Sequence, residues 1–376
     1  MSSLELPLRV LQLIDTPGPG GAETVFVQLT ERLQARGDHV LPVVATDRSW
    51  AADALSDRGI GAIVLPTTGR KLDWRWLWRL VRIVRRERIQ IIHAHLYAPA
   101  VYGAIAATLT RVAALATIHG EVDLEKQGRT RGFKLLALRV GLNTVVCVSE
   151  SLREAVARRL SFEPARTAVV WNGVDVEALQ AGVRGALRSE LSVGEHALLI
   201  GSIGNVRPAK DYPTFVRACR LMLAHHPDTY FVIAGDCDNE LGRAVRQLSH
   251  ELGMSDRIVF LGFRADVANV LADLDVLVVS STSEGFSIAA VQALAAGVPV
   301  VATRSGGPEE IIDPGVNGLL VPHSNPRAIA EAVSSLLADP QMRRMMAAAG
   351  PETVRTRFST DAMVQGYVTL YRAMLA

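Results

Sequence analysis

The chain is short of several things at once. Its 376 residues hold only three cysteines, Cys147, Cys219 and Cys237, with neither paired spacing nor histidines of metal-ligand type beside them. That argues against a disulfide framework and a cysteine-based zinc site, and for a reducing compartment. No stretch approaches the roughly 18 to 20 unbroken apolar residues of a membrane span. The opening MSSLELPLRVLQLID has an acidic residue where a secretory signal wants lysine or arginine, and runs directly into a strand pattern, so a cytoplasmic protein is expected. The net charge of +2 gives no reason to expect a nucleic-acid partner. Lysine is scarce: the 40 cations include four, and Lys210 is the only one after Lys134.

What is present fits a globular enzyme: 49% hydrophobic residues, 21% charged residues and 30 glycines. The length exceeds what one core usually organises, so two domains are expected. Residues 1–180 hold 23 Lys+Arg against 18 Asp+Glu and the remainder 17 against 20, so the first half is the basic one. Short apolar runs alternate with helix-period segments throughout, the pattern of parallel sheets flanked by helices. The first half offers RVLQLID, HVLPVVAT, GAIVLP, IQIIHAH, AALATIHG, TVVCVS and ARTAVVWNG as strands. The second offers ALLIGSIG, YFVIAGD, RIVFLG, DVLVVSS, VPVVAT and GLLVP. Residues 178–190 lack a strand signal and are placed as the linker. The expected division is 1–180, 181–355, and a final helix over 356–376 that braces the two domains. In such α/β domains ligands bind at the carboxyl ends of the strands.

Several stretches carry candidate chemistry. In IGSIGNVRPAKDYPTFVRA, residues 200–218, a strand ends in glycine and a polar loop leads to Asp211 and a helix with Pro213 in its first turn. Arg207 and Lys210 project from that loop, where a bidentate fork and a mobile point charge make a place for phosphates, unless the loop is merely solvated. In VPVVATRSGGPEEII, residues 298–312, the Ser305-Gly306-Gly307 turn opens backbone N–H groups to a phosphate, or Glu309 and Glu310 serve as dipole partners. Gly20 and Gly21 join the first strand to the first helix without a dinucleotide fingerprint, leaving a ligand-contacting turn or a plain tight turn.

His93 and His95 share one face of a strand, and His119 opens a loop beyond another; no carboxylate or cysteine at matching spacing supports a metal site. His93 reads as structural and His119 as the functional candidate. The loop EVDLEKQGRTRGFK, residues 121–134, is the expected mobile acceptor-side element. LDWRWLWRLVRIVRRERIQ gives an amphipathic helix with Leu77, Leu80, Val81 and Val84 inward and Arg75, Arg79, Arg82, Arg85 and Arg86 outward. Such a face, Trp74 to Arg88, can lie on an anionic membrane surface or stand solvated. In SEGFSIAAVQALAAGVPVVAT, residues 283–303, Glu284 and Gln292 stand eight apart in apolar surroundings, and the helix from Ser287 reads as buried.

Taken in order, these residues resemble the retaining glycosyltransferases of family 4. The likeness runs through Gly20-Gly21-Ala22-Glu23, His95, Thr117-Ile118-His119-Gly120, Val148-Ser149-Glu150 and Asn172-Gly173-Val174-Asp175. It continues through Gly204 to Lys210, Phe260-Leu261-Gly262, Ser283 to Gly297 and Gly306-Gly307-Pro308-Glu309. The resemblance implies the GT-B architecture, two Rossmann-like doubly wound domains facing across a cleft. It implies a UDP- or GDP-sugar co-substrate, no cofactor, no metal, and a glycan or lipid-linked acceptor in bacterial polysaccharide or glycolipid assembly, with the enzyme cytoplasmic or peripheral at the inner face of the membrane.

By the same resemblance Arg207 and Lys210 neutralise the departing diphosphate, and His119 and Glu284 meet the donor sugar. Backbone at Gly20, Gly21, Gly285, Phe286 and Ser287 cradles phosphate and sugar, and the base lies by Phe263 and Arg264. The family places a second glutamate on the ribose where this chain has Gln292. That departure keeps open two other readings: a catalytically silent nucleotide-sugar-binding partner of a synthase, and a nucleotide-sugar epimerase.

Overall fold

A computed structural model of the chain describes residues 6–46, 48–67, 73–121 and 130–376. The loop expected on the acceptor side, residues 121–134, lies largely outside them. The chain divides into two compact units, Met1–Asn172 with Thr360–Ala376, and Gly173–Ser359.

The first unit is built on β1 (Arg9–Ile14), β2 (His39–Val44), β3 (Ile63–Val64), β4 (Ile91–His95), β5 (Ala113–Ile118), β6 (Thr144–Cys147) and β7 (Thr167–Val169). All pair in parallel, in the order β3-β2-β1-β4-β5-β6-β7. Their cores read as continuous apolar runs because both faces of the sheet are covered. The connecting helices are α1 (Gly21–Ala35), α2 (Trp50–Ser56), α3 (Trp74–Arg86), α4 (Tyr97–Thr110), α5 (Arg131–Gly141) and α6 (Glu150–Leu160). On α3 the expected stripe of Leu77, Leu80, Val81 and Val84 is buried, joined by Trp76.

The second unit opens with two short helices, α7 (Val176–Gln180) and α8 (Ala186–Glu190). Its sheet comprises β8 (Leu198–Ile203), β9 (Thr229–Ala234), β10 (Ile258–Gly262), β11 (Val276–Val279), β12 (Val300–Thr303) and β13 (Gly318–Val321), in parallel order β10-β9-β8-β11-β12-β13. Around it lie α9 (Tyr212–Leu223), α10 (Glu240–Glu251), α11 (Val267–Asp273), α12 (Ile288–Ala295), α13 (Pro308–Ile311), α14 (Pro326–Ala338) and α15 (Pro340–Arg357). The last helix, α16 (Thr360–Leu375), belongs to the first unit.

Two features differ from the sequence expectation. The first unit ends at Asn172, and the stretch read as a linker belongs to the second. The Arg188 guanidinium, on α8 and buried, donates to the carbonyls of Gly194 and Ala197 at 3.1 and 2.7 Å and to Asp275 at 3.2 Å. Asp273, also buried, accepts the N–H groups of Gly185 and Arg188 at 2.6 and 3.0 Å. Second, α16 packs into the first unit: Tyr371 OH lies 2.7 Å from His93 Nδ1, and Tyr367 OH 3.0 Å from Thr117 Oγ1.

Each sheet has one place where strand order reverses, between β1 and β4 and between β8 and β11. Ligands of open α/β sheets sit outside the carboxyl ends of the strands at such points. The loops after β1, β4, β8 and β11 carry Gly20-Gly21, Leu96, Lys210 and Glu284.

The buried Arg188 cluster yields a test. Asp273→Ala leaves two backbone N–H groups short of a partner and removes a carboxylate 3.8 Å from the buried Arg188 guanidinium, which costs about 3 kcal/mol of stability. Urea unfolding should show that loss, and a midpoint within 0.2 M of the parent (about 0.5 kcal/mol or less at typical slopes) would contradict the role.

Candidate active site

In the second unit two loops lock together at the reversal point. After β8 the chain passes Gly204, whose φ of 149° only glycine adopts readily, and a Cβ there would come within 3.2 Å of Lys210 Cε. A 3₁₀ turn, Pro208–Lys210, then swings Lys210 back over Gly204, and Asp211 caps α9. Lys210 Nζ meets the Glu284 carboxylate at 2.8 and 3.0 Å. Both side chains are largely shielded, at 24% and 10% exposure, so the pair is screened less than a surface salt bridge.

Glu284 is pinned from all sides. Its N–H donates to Ser305 O and its carbonyl accepts from Gly307 N, each at 2.8 Å. The Ser281 hydroxyl donates to Oε2 at 2.8 Å, and Thr303 Oγ1 donates to the Ser281 carbonyl at 2.5 Å. Gly307 permits this crossing, since a Cβ there would come within 2.7 Å of Phe286 Cα. From the loop that carries Glu284, Ser280 Oγ donates to Lys210 O and Thr282 N to Ala209 O on the lysine loop, both at 2.8 Å. Sequence reasoning passed over these hydroxyls; the signal was Ser280-Ser281-Thr282-Ser283, packed between a buried strand and Glu284.

The remaining candidates of this unit are placed differently. Arg207, on the Lys210 loop, is exposed, and among the described residues its side chain has no partner. Phe286 is buried against Phe358, ring centroids 5.6 Å apart, and Ser287 caps α12 through the Ala290 N–H at 3.4 Å. Between Glu284 and Phe286, Gly285 is half-buried. Gln292 on α12 is half-buried where burial was expected, and its side chain makes no hydrogen bond among the described residues. At the end of β10, Phe263 is 48% exposed. The Arg264 guanidinium is engaged bidentately by Glu190 at 2.7 and 2.9 Å and by Asp266 at 2.8 Å. That contact pulls the Asp266 carboxyl down to about 2. The Ser305 and Gly306 amides, expected as a bare phosphate cradle, take Glu309 Oε2 at 3.2 and 3.0 Å.

In the first unit three imidazoles stack. Ring centroids of His93 and His95 lie 4.1 Å apart and those of His95 and His119 5.4 Å. His93 is consumed by structure, with Nδ1 on Tyr371 and Nε2 on Thr117 Oγ1 at 2.8 Å. His95 Nδ1 meets His119 Nε2 at 3.2 Å, which leaves His119 Nδ1 without a partner among the described residues. Burial holds all three neutral: it pulls His119 down to about 3, and for His93 and His95 neighbouring histidines add to the same direction. After His95 the chain turns through Leu96 at φ 72° and ψ 165°, a region left almost wholly to glycine, at a cost on the order of 1 to 3 kcal/mol. At the start of α1, Gly20 makes room for Glu23, whose Oε2 lies 2.6 Å from where a Cβ would stand, and Gly21 opens the helix. Burial also pushes the Cys147 thiol up to about 12, so it is no nucleophile at neutral pH.

Two family models match the chain: Glycosyltransferase Family 4 over residues 19–178 and Glycosyl transferases group 1 over residues 183–353. Among curated proteins it is similar to the lipopolysaccharide core biosynthesis glycosyltransferase LpsD of Rhizobium meliloti, 25% identical over 94% of this chain and 95% of that one. A second relative is the UDP-Gal:alpha-D-GlcNAc-diphosphoundecaprenol alpha-1,3-galactosyltransferase of Escherichia coli, 25% identical over 85% of this chain and 86% of that one. Among solved structures, Anabaena HepE in complex with UDP superposes with a TM-score of 0.86 at 22% identity, covering 97% of this chain and 100% of that one. WaaG, a glycosyltransferase involved in lipopolysaccharide biosynthesis, superposes at 0.73 and 16% identity, covering 95% and 98%.

The histidine stack has a pH signature. The unfolded chain binds protons near pH 6.5 that the folded chain refuses until about pH 3 at His119. Stability present above pH 6.5 is therefore lost as the pH falls through that window. Urea midpoints should drop between pH 7.5 and 5, and His119→Gln should flatten the drop; identical slopes would contradict the assignment.

Proposed function

The chain belongs to the GT-B glycosyltransferases of the family 4 type, and on that premise we propose that it is a metal-independent retaining hexosyltransferase. It moves a sugar from a UDP- or GDP-sugar to an acceptor hydroxyl on a glycan or lipid-linked molecule in bacterial polysaccharide or glycolipid assembly. The observation that carries this reading is the shielded Lys210–Glu284 pair at the strand-order reversal, with Arg207 on the same loop exposed and unpartnered among the described residues. The Escherichia coli relative named for UDP-Gal and a diphosphoundecaprenol acceptor supports UDP and a lipid-linked acceptor as the first to test.

In this reading the donor diphosphate competes with Glu284 for the Lys210 ammonium and draws Arg207 inward. Two cations then stabilise charge as it develops on the leaving phosphate, the role a divalent metal fills elsewhere. Glu284, kept in place by Ser281 and by its backbone bonds when Lys210 turns away, accepts hydroxyls of the donor sugar. The acceptor oxygen attacks the anomeric carbon from the face the diphosphate leaves, the carbon–oxygen bond to phosphate breaks, and the acceptor proton passes to the departing phosphate oxygen. No paired carboxylates of the hydrolase kind are needed.

His119, neutral, offers Nδ1 to the sugar. Backbone at Gly20, Gly21 and Gly285 to Ser287 lines the donor, and Gln292 accepts a ribose hydroxyl where relatives use a charge-assisted bond. The base stacks by Phe263 and meets backbone near Arg264, whose guanidinium is already held by Glu190 and Asp266.

Two variants test the assignment. Lys210→Ala should lower transfer on the order of 10²- to 10³-fold while circular dichroism stays unchanged; near-parental turnover would remove the leaving-group role. Gln292→Glu should tighten donor binding about tenfold by calorimetry if the amide holds the ribose. Unchanged affinity would place the ribose elsewhere, and saturable donor binding with neither transfer nor hydrolysis would favour the silent-partner reading.

A further inference from the structure

Unit 1 carries an unusual face. In the order β3-β2-β1-β4-β5-β6 the crossovers holding α3, α4 and α5 all run in the same direction across the sheet, so right-handed connections place these helices on one side. Helix α4 lies between the other two, with Gly141 of α5 so close that a Cβ would stand 2.1 Å from Ala104 O. With its inner face seated there, α5 still turns Phe133, Leu136 and Val140 outward, the last two at 60% and 64% exposure. On α3, Trp74 and Trp78 are 53% and 60% exposed, although Trp76 between them is buried. Beside these tryptophans the exposed positions of α3 are arginines 75, 79, 82, 85 and 86, with no carboxylate on the helix.

We propose that this α3–α4–α5 face is the surface by which the protein lies on an anionic lipid bilayer, tryptophans and the α5 stripe entering the headgroup zone and the arginines pairing with lipid phosphates. The chemistry selects this occupant. A nucleic acid would engage the arginines and leave the apolar stripe in water, whereas an interfacial surface uses both. A second copy in a two-fold contact would set one arginine row against another. Exposed indoles next to an arginine face suit the membrane–water boundary, where the ring is half in apolar surroundings and its N–H stays wet. The surface stands on its own residues; that it delivers a lipid-linked acceptor to the site rests on the function proposed above.

Flotation of the full chain with vesicles tests it. Vesicles of phosphatidylcholine with one-third phosphatidylglycerol should carry the protein, and pure phosphatidylcholine should carry at least tenfold less. Salt at 0.5 M should weaken the binding. Trp74→Ser with Trp78→Ser, and separately Leu136→Ser with Val140→Ser, should each lower binding at least fivefold. These exposed changes should leave the melting temperature and its upward shift with UDP intact, so that loss of vesicle binding and loss of donor binding are read separately. Failure to float with phosphatidylglycerol, equal binding to both vesicles, or variants that bind like the parent would overturn the proposal.

Discussion

The ion pair between Lys210 and Glu284 is the contact around which the second unit arranges its reversal point. Two charges held largely out of water are tolerable only when paired and hydrogen-bonded, and the surrounding atoms supply both. Gly204 makes space for the lysine stem, Gly307 lets the glutamate loop cross, Ser280 ties the glutamate loop to the lysine loop, and Ser281 holds the glutamate carboxylate. Without a donor the lysine neutralises the glutamate. In the proposed reaction a diphosphate offers it a stronger partner, and the hydroxyl and backbone bonds then keep Glu284 from following. On that proposal one contact preorganises the site and supplies the cation that the leaving group needs.

The first unit shows the same economy in a neutral form. His93, His95 and His119 are stacked along strand ends, closed at one end by tyrosines of α16 and left open at the other at His119 Nδ1. The last helix is therefore bound to the candidate site through His93, not simply laid over the sheet. Strain at Leu96 falls beside this stack, where a loop next to the candidate site is held in a conformation its residue type disfavours.

Much of this was legible in sequence, for identifiable reasons. Parallel strands buried on both faces read as apolar runs, and strands of both sheets sit where those runs are, from RVLQLI to GLLV. The α3 stripe followed from its 3.6 period. The stretch read as a linker is tied into the second unit because Arg188, Asp273 and Asp275 meet across about eighty-five residues, and local pattern carries no trace of such a contact. At the site, Lys210 and Glu284 stood out singly, but their pairing across 74 residues did not. The occupation of Arg264 by Glu190 and of the Ser305 and Gly306 amides by Glu309 was likewise invisible, because each depends on which side chain folds back on the loop. The apolar outer stripe of α5 went unremarked because a helix apolar on two faces resembles a buried one.

The central claim is that this chain binds a nucleotide-sugar through Lys210 and Arg207 without a metal. Calorimetric titration with UDP- and GDP-sugars in excess EDTA tests it most directly. The account predicts saturable binding at one site for one of the two nucleotide classes, weakened when Lys210 is replaced by alanine. Binding that vanishes in EDTA and returns with a divalent cation, or no binding of either class, would contradict it.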